Sequence, residues 1–168
     1  LFINDRPTEE GGNHLYWANL RHFEGGAADS FTIPVTMPNL LSDAKDPVKV
    51  RLRIRGRGGL TSDITHHIQI FVNNVSFAVA DRTWDGDEPT TLSFNISSRF
   101  FADGVNSIKI QTVGDTLTSG DAEDINIDKI ELSYRSARLA VDDQLELFSY
   151  RPNQVVSVSN FSNAAIKI

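Results

Sequence analysis

Two runs of acidic residues carry chemistry that depends on where the chain places them. DGDEP supplies Asp85, Asp87 and Glu88, and GDAEDINID supplies Asp121, Glu123, Asp124 and Asp128. Carboxylate oxygens on loops suit calcium, which takes roughly 6–8 hard oxygen ligands, and Asn126 with loop carbonyls would complete such a shell. Neither run has the spacing of an EF-hand, so the competing reading is a pair of solvated acidic turns. A paired-carboxylate glycosidase would need two of these acids at a set separation, which sequence spacing does not give. Aromatic residues offer a second chemistry, because Tyr16, Trp17 and Trp84 could stack on sugar rings. Against that, the rhythm of HLYWANL buries either Tyr16 or Trp17, while Trp84 beside Asp85 and Gly86 is expected to be partly exposed.

His66 and His67 have the residue type of metal ligands but not the geometry. Adjacent residues of a strand point to opposite faces, so one is expected inside and one outside. His14 and His22 lie far from them in sequence, and nothing links them. The stretch VKVRLRIRGRGG alternates with period two: Lys49, Arg51, Arg53, Arg55 and Arg57 on one face, Val48, Val50, Leu52 and Ile54 on the other. It reads as a half-buried strand whose cations either meet a polyanion or pair with acids on adjacent strands, the second being favoured. GRGGLTS lacks the GK[ST] ending and the third Gly of phosphate-binding loops, and no helix follows it.

The totals narrow the field. The chain has 168 residues and a net charge of −6, which weighs against a nucleic-acid partner. With no cysteine, thiolate catalysis, disulfides and zinc ribbons are excluded. There is no GxSxG elbow for a serine nucleophile. Nor is any apolar run long enough to insert in a membrane. The start at Leu1 and the apolar close VSNFSNAAIKI suggest a piece of a longer protein, with more chain to follow.

The elements that must position these residues are short strands between turn signals. HLYWANLRHF reads as a first strand and SFTIPVTMP as a second, with Phe31, Ile33, Val35 and Met37 on one side. Pro34 cannot donate to a ladder and puts that strand at an edge or beside a bulge. HHIQIFVNNVSFAVA reads as a hairpin turning at Asn73 and Asn74, followed by DRTWDGDEP as a loop. TTLSFNIS, NSIKIQTVG, INIDKIELSY and QLELFSY complete the strands, with the acidic loop DTLTSGDAED before INID. No segment has a helical period. The pattern implies an all-β protein, an antiparallel β-sandwich and most plausibly a jelly roll, over residues 1–140. Residues 141–168 would be C-terminal strands leading toward a further domain, or else strands of the same sandwich.

The ordered series HHIQIFVNN, WDG, NSIKIQTVGDT and INIDKIELSYRSARLAVDDQLEL resembles the β-sandwich domain that precedes the catalytic domain in gingipain-like cysteine peptidases. The matching positions are His66, His67, Asn73, Asn74, Trp84, Asp85, Gly86, Val113, Gly114, Asp115, Asp128, Tyr134 and Arg135. The resemblance implies a galactose-binding-like jelly roll outside a bacterial cell, secreted or on its surface, that is not itself an enzyme. Its partner would be the downstream domain of the same polypeptide, docked on an apolar patch containing Leu145, Leu147, Phe148 and Phe161. The alternative is a carbohydrate-binding module with a structural calcium ion, a glycan as partner and an exposed aromatic platform near Trp84 or Tyr16.

Overall fold

The computed structural model describes residues 3–5, 14–43, 45–58, 65–118, 120–140, 142–144 and 158–162. A short antiparallel pair, β1 (Ile3–Asp5) and β2 (His14–Tyr16), precedes eight longer strands. These are β3 (Ala18–Phe23), β4 (Ser30–Met37), β5 (Val48–Gly58), β6 (Thr65–Val72), β7 (Ala80–Asp85), β8 (Pro89–Ile96), β9 (Gly104–Thr112) and β10 (Ala122–Ser133). They form two four-stranded antiparallel sheets, ordered β3-β10-β5-β8 and β4-β9-β6-β7. From β3 onward the chain crosses between sheets at every connection except the β6–β7 hairpin. That strand order is a jelly roll.

Period-two patterning builds the core. Val50, Leu52 and Ile54 of β5 and Ile125 and Ile127 of β10 face Ile68 and Ile70 of β6 and Ile108 and Ile110 of β9, all buried. Each such side chain contributes about 1.5–3 kcal/mol on burial. Pro34 sits on β4, an edge strand, as expected for a residue with no N–H to give. Ile33 and Met37 point into the core.

Three expectations need correction. HLYWANLRHF is not one strand: it breaks at Trp17, whose N–H donates to the Ile127 carbonyl at 2.7 Å. The hairpin after His66 turns where Asn73 takes φ 51°, but the returning strand is Ala80–Asp85, so Trp84 and Asp85 belong to a strand and not a loop. On the acidic side, β10 begins at Ala122, which moves Glu123 and Asp124 out of the expected loop and into the sheet. A 3₁₀ turn, Ser98–Phe100, occupies part of the β8–β9 connection. Leu145, Leu147 and Phe148 lie outside the described residues, and Phe161 is half-buried. Residues 158–162 run back along the chain after β10, with a parallel bridge from Leu139 to Ser159. Among the described residues no helix is long and apolar enough to cross a membrane.

Candidate functional site

The two outer faces of the sandwich are available to partners. On the β3-β10-β5-β8 face the cations of β5 find acids in register. Arg51 pairs with Glu131 at 3.7 Å, Lys129 with the same carboxylate at 2.8 Å, and Arg53 with Asp128 at 3.1 Å. Asp128 stands at the register shift in the β10–β5 ladder, where a bulge turns it toward Arg53. Arg55 donates to the Asp87 carbonyl at 2.9 Å. The crosswise pairing expected from the alternation is therefore present.

The β4-β9-β6-β7 face is built differently. Register places Ser30, Gln111, Gln69 and Asp81 in one row across all four strands, which at ~4.8 Å per strand spans about 14 Å. The adjacent row holds Thr32, Lys109 and Phe71, and on the other side His67 lies beside Thr83. Hydrogen bonds lock these groups. Gln69 Nε2 donates to Asp81 Oδ2 at 3.0 Å, and His67 directs Nε2 at Asp81 Oδ1 (2.9 Å) and Nδ1 at Asp115 Oδ1 (2.6 Å). Lys109 Nζ donates to Gln111 Oε1 at 2.8 Å and lies 4.1 Å from the centre of the Phe71 ring.

Burial acts to lower the His67 pKa, but the hydrogen bonds and charges of Asp115 and Asp81 outweigh it and hold the imidazole above its ordinary 6.5. A ring with a carboxylate at each nitrogen serves both only as imidazolium. Asp81 is held below its ordinary 3.8 by the Gln69 amide first of all, which with the hydrogen bond and charge of His67 outweighs the opposing effect of burial. The outcome is an array of amides, carboxylates and hydroxyls in which His67, Gln69, Lys109 and Gln111 are half-buried and hydrogen-bonded, Asp81 and Ser30 are exposed, and the Phe71 ring lies among them.

His66 points the other way, into the core, as the alternation required. Its ring stacks on Trp84 with centroids 4.9 Å apart, and Nδ1 lies 3.4 Å from Glu123 Oε1, which also accepts the His67 backbone N–H at 2.9 Å. A Cβ on Gly56 would sit 2.1 Å from His66 Nε2, so only glycine leaves room for this ring. His22 has a similar arrangement: a Cβ on Gly114, whose φ is +73°, would fall 2.3 Å from His22 Cε1. The inner end of the sandwich is thus a buried polar cluster with two glycines opposite two imidazoles.

The expected site residues do not come together. Tyr16 is buried and offers no ring face to solvent; Trp17 is exposed; Trp84 is half-buried against His66. The Asp85 carboxylate accepts from Thr65 Oγ1 at 2.6 Å, and Asp87 and Glu88 are exposed on the turn that follows. Asp121 accepts from Thr118, buried Glu123 is engaged by His67, Asp124 accepts from Asn19, and Asp128 holds Arg53. Asp121 precedes β10, Glu123 is buried, and Asp124 and Asp128 are part-exposed with different partners, so the four do not converge. Among the described residues no group of three or more His, Cys, Asp or Glu could hold a metal ion. The row through Gln69 and Gln111 escaped the sequence reading, because two glutamines forty-two positions apart become neighbours only through register. Their shared outward parity, one in each of two alternating strands, was the available signal.

No family model matches the sequence, and no curated protein matches it. Among solved structures, the CBM36-1 domain of a multidomain xylanase from the hindgut metagenome of Trinervitermes trinervoides is similar over 82% of this chain and 88% of its own, at 13% identity and a TM-score of 0.49. A carbohydrate-binding module CBM36 in complex with calcium and xylotriose is similar over 79% of this chain and 92% of its own, at 17% identity and a TM-score of 0.44. A CBM4 structure covers 70% of this chain and 94% of its own, at 16% identity and a TM-score of 0.32. The β-sandwich implied by the strand pattern and by the resemblance is in place on the chain's own strand order, whereas no comparison shows a link to gingipain-like peptidases.

Proposed function

We propose that the chain is a non-catalytic carbohydrate-binding module that holds a polysaccharide on the outer face of β4-β9-β6-β7. The observation that carries this reading is the Ser30–Gln111–Gln69–Asp81 row, together with the bonds that fix its amides and carboxylate. Sugar hydroxyls donate and accept at once, so they are best met by a mixed set of amide, carboxylate and hydroxyl groups. Groups already ordered by their neighbours lose little further freedom when the ligand arrives. Half-buried Phe71 lies in the adjacent row with the Lys109 ammonium over its ring, which adds a cationic donor beside the amides. The similar solved structures are carbohydrate-binding modules; the reading stands on this face's own side chains and not on that likeness. Such a module works outside a cell, where polysaccharides are met, and needs neither nucleic acid nor membrane insertion.

Docking on a downstream peptidase domain, the other role foreseen, depends on Leu145, Leu147, Phe148 and Phe161; the first three lie outside the described residues, and Phe161 is half-buried. The test is affinity electrophoresis against a panel of plant and bacterial polysaccharides, with Gln69→Ala and Gln111→Ala as variants. Retardation of the parent by at least one polysaccharide, relieved in both variants, is the expected result. A parent that migrates unretarded in every gel refutes the reading.

A further inference from the structure

One end of the sandwich carries an aromatic surface that is independent of the array above. Phe77, in the β6–β7 connection, is 57% exposed, and Val105 at the start of β9 is 74% exposed. The Phe77 ring meets Phe100 of the 3₁₀ turn edge to face, with centroids 5.8 Å apart and planes at 80°. Arg99 lies with Cζ 4.9 Å from the centre of the Phe100 ring. Asn74, Ser76 and Asp103, all exposed, belong to the same two connections.

These connections are held in place by amides. The Asn73 side chain donates to the Phe100 carbonyl at 2.9 Å and to Asn106 Oδ1 at 3.0 Å, and it accepts the Ser107 N–H at 2.9 Å. Asn106 in turn donates to the carbonyls of Ala102 (2.8 Å) and Gly104 (3.1 Å) and accepts the Ala102 N–H at 2.7 Å. The β6–β7 connection, the 3₁₀ turn and the start of β9 are joined into one unit that presents two phenyl rings. The Phe77 ring is thereby held at a fixed place on the surface while adding little to the core.

We propose that Phe77 and Phe100, with Arg99 at their rim, form a stacking subsite for one pyranose ring of the polysaccharide; this rests on the carbohydrate-binding reading above. The patch has the scale of a sugar ring. Two phenyl rings fall well short of the ~1,000 Å² that a specific protein interface buries, which argues against a second protein chain as occupant. The apolar face of a pyranose ring covers one phenyl face, while its edge hydroxyls meet the Arg99 fork and the polar side chains of the two connections.

The experiment is isothermal titration of the best-retarded oligosaccharide into the parent, Phe77→Ala, Phe77→Trp and Phe23→Ala, with a melting curve for each. Phe23 is the control, being 56% exposed with Arg21 at 5.1 Å from its ring, but located on β3 of the other sheet. Phe77→Ala is expected to bind at least about tenfold more weakly with an unchanged melting temperature. Phe77→Trp is expected to restore binding and to show a fluorescence change on titration, and Phe23→Ala to match the parent. If Phe77→Ala binds like the parent while Gln111→Ala has lost binding, the subsite is refuted and the array stands. If the parent binds no saccharide, the array and the subsite fall together.

Discussion

The outer faces of the two sheets obey the same alternation and differ in how their polar groups are held. On β5 and β10 the groups are long and charged, and they satisfy one another: Arg51 and Lys129 share Glu131, and Arg53 takes Asp128. Exposed pairs of this kind contribute about 0–1 kcal/mol and are easily exchanged for water. On β6 and the neighbouring β7 the groups are shorter, and although Asp81 and Asp115 are exposed, they are linked in series from Asp115 through His67 and Asp81 to Gln69. Charge density draws the eye to the first face, but order makes the second a binding surface. A ligand there meets donors and acceptors whose positions folding has already set.

Gly56 lies beneath both faces, and changing it should have the largest effect. Gly56→Ala drives a methyl into the His66 ring, which cannot retreat from Trp84, and should lower stability by about 3 kcal/mol. A denaturant midpoint equal to the parent's would contradict this packing. Next in size, the double variant Gln69→Ala/Gln111→Ala should weaken saccharide binding by about a hundredfold while leaving the fold intact, as circular dichroism would verify. Binding within threefold of the parent's would place the ligand elsewhere.

Titration sharpens the contrast further. The His67 pKa is raised, so its contribution to stability is fully present below about pH 6.5 and is lost as pH rises through the higher folded value. Asp81 is lowered, so its contribution is present above about pH 3.8 and is lost as pH falls through the folded value. Melting temperature should therefore decline as pH rises above about 6.5, and His67→Gln should flatten that decline; equal slopes in parent and variant would remove His67 from the account. The smallest effect belongs to the other face. Arg51→Gln with Arg53→Gln should shift the melting temperature by no more than about 2 °C and leave saccharide binding unchanged. A marked loss of binding there would reverse the comparison.

Much of the fold could be read one residue at a time. Alternation located β4 and β5, Pro34 marked an edge, and the adjacent histidines split as their parity demanded. Misreadings arose where a strand's composition works against its role. Ala80–Asp85 is an edge strand of mostly polar residues, which a hydrophobic pattern cannot reveal, and Glu123 disguises the start of β10 by burying a carboxylate. The resemblance to a peptidase-linked domain has a physical source in the same region. Of its residues, His66 requires Gly56, Gly114 makes room for His22, and Asp115 holds His67. They describe the buried end of a sandwich and the neighbouring clamp, and no comparison shows a link to a peptidase. The binding array was hidden because register, not spacing, brings Gln69 beside Gln111.

The central claim is tested most directly by nuclear magnetic resonance: backbone amide shifts recorded during titration with the oligosaccharide that affinity electrophoresis selects. The account predicts that the largest shifts fall on β6, β7 and β9 around His67, Gln69, Asp81 and Gln111, with β5 and β10 unmoved. Shifts centred on Arg51, Arg53 and Glu131 would contradict it.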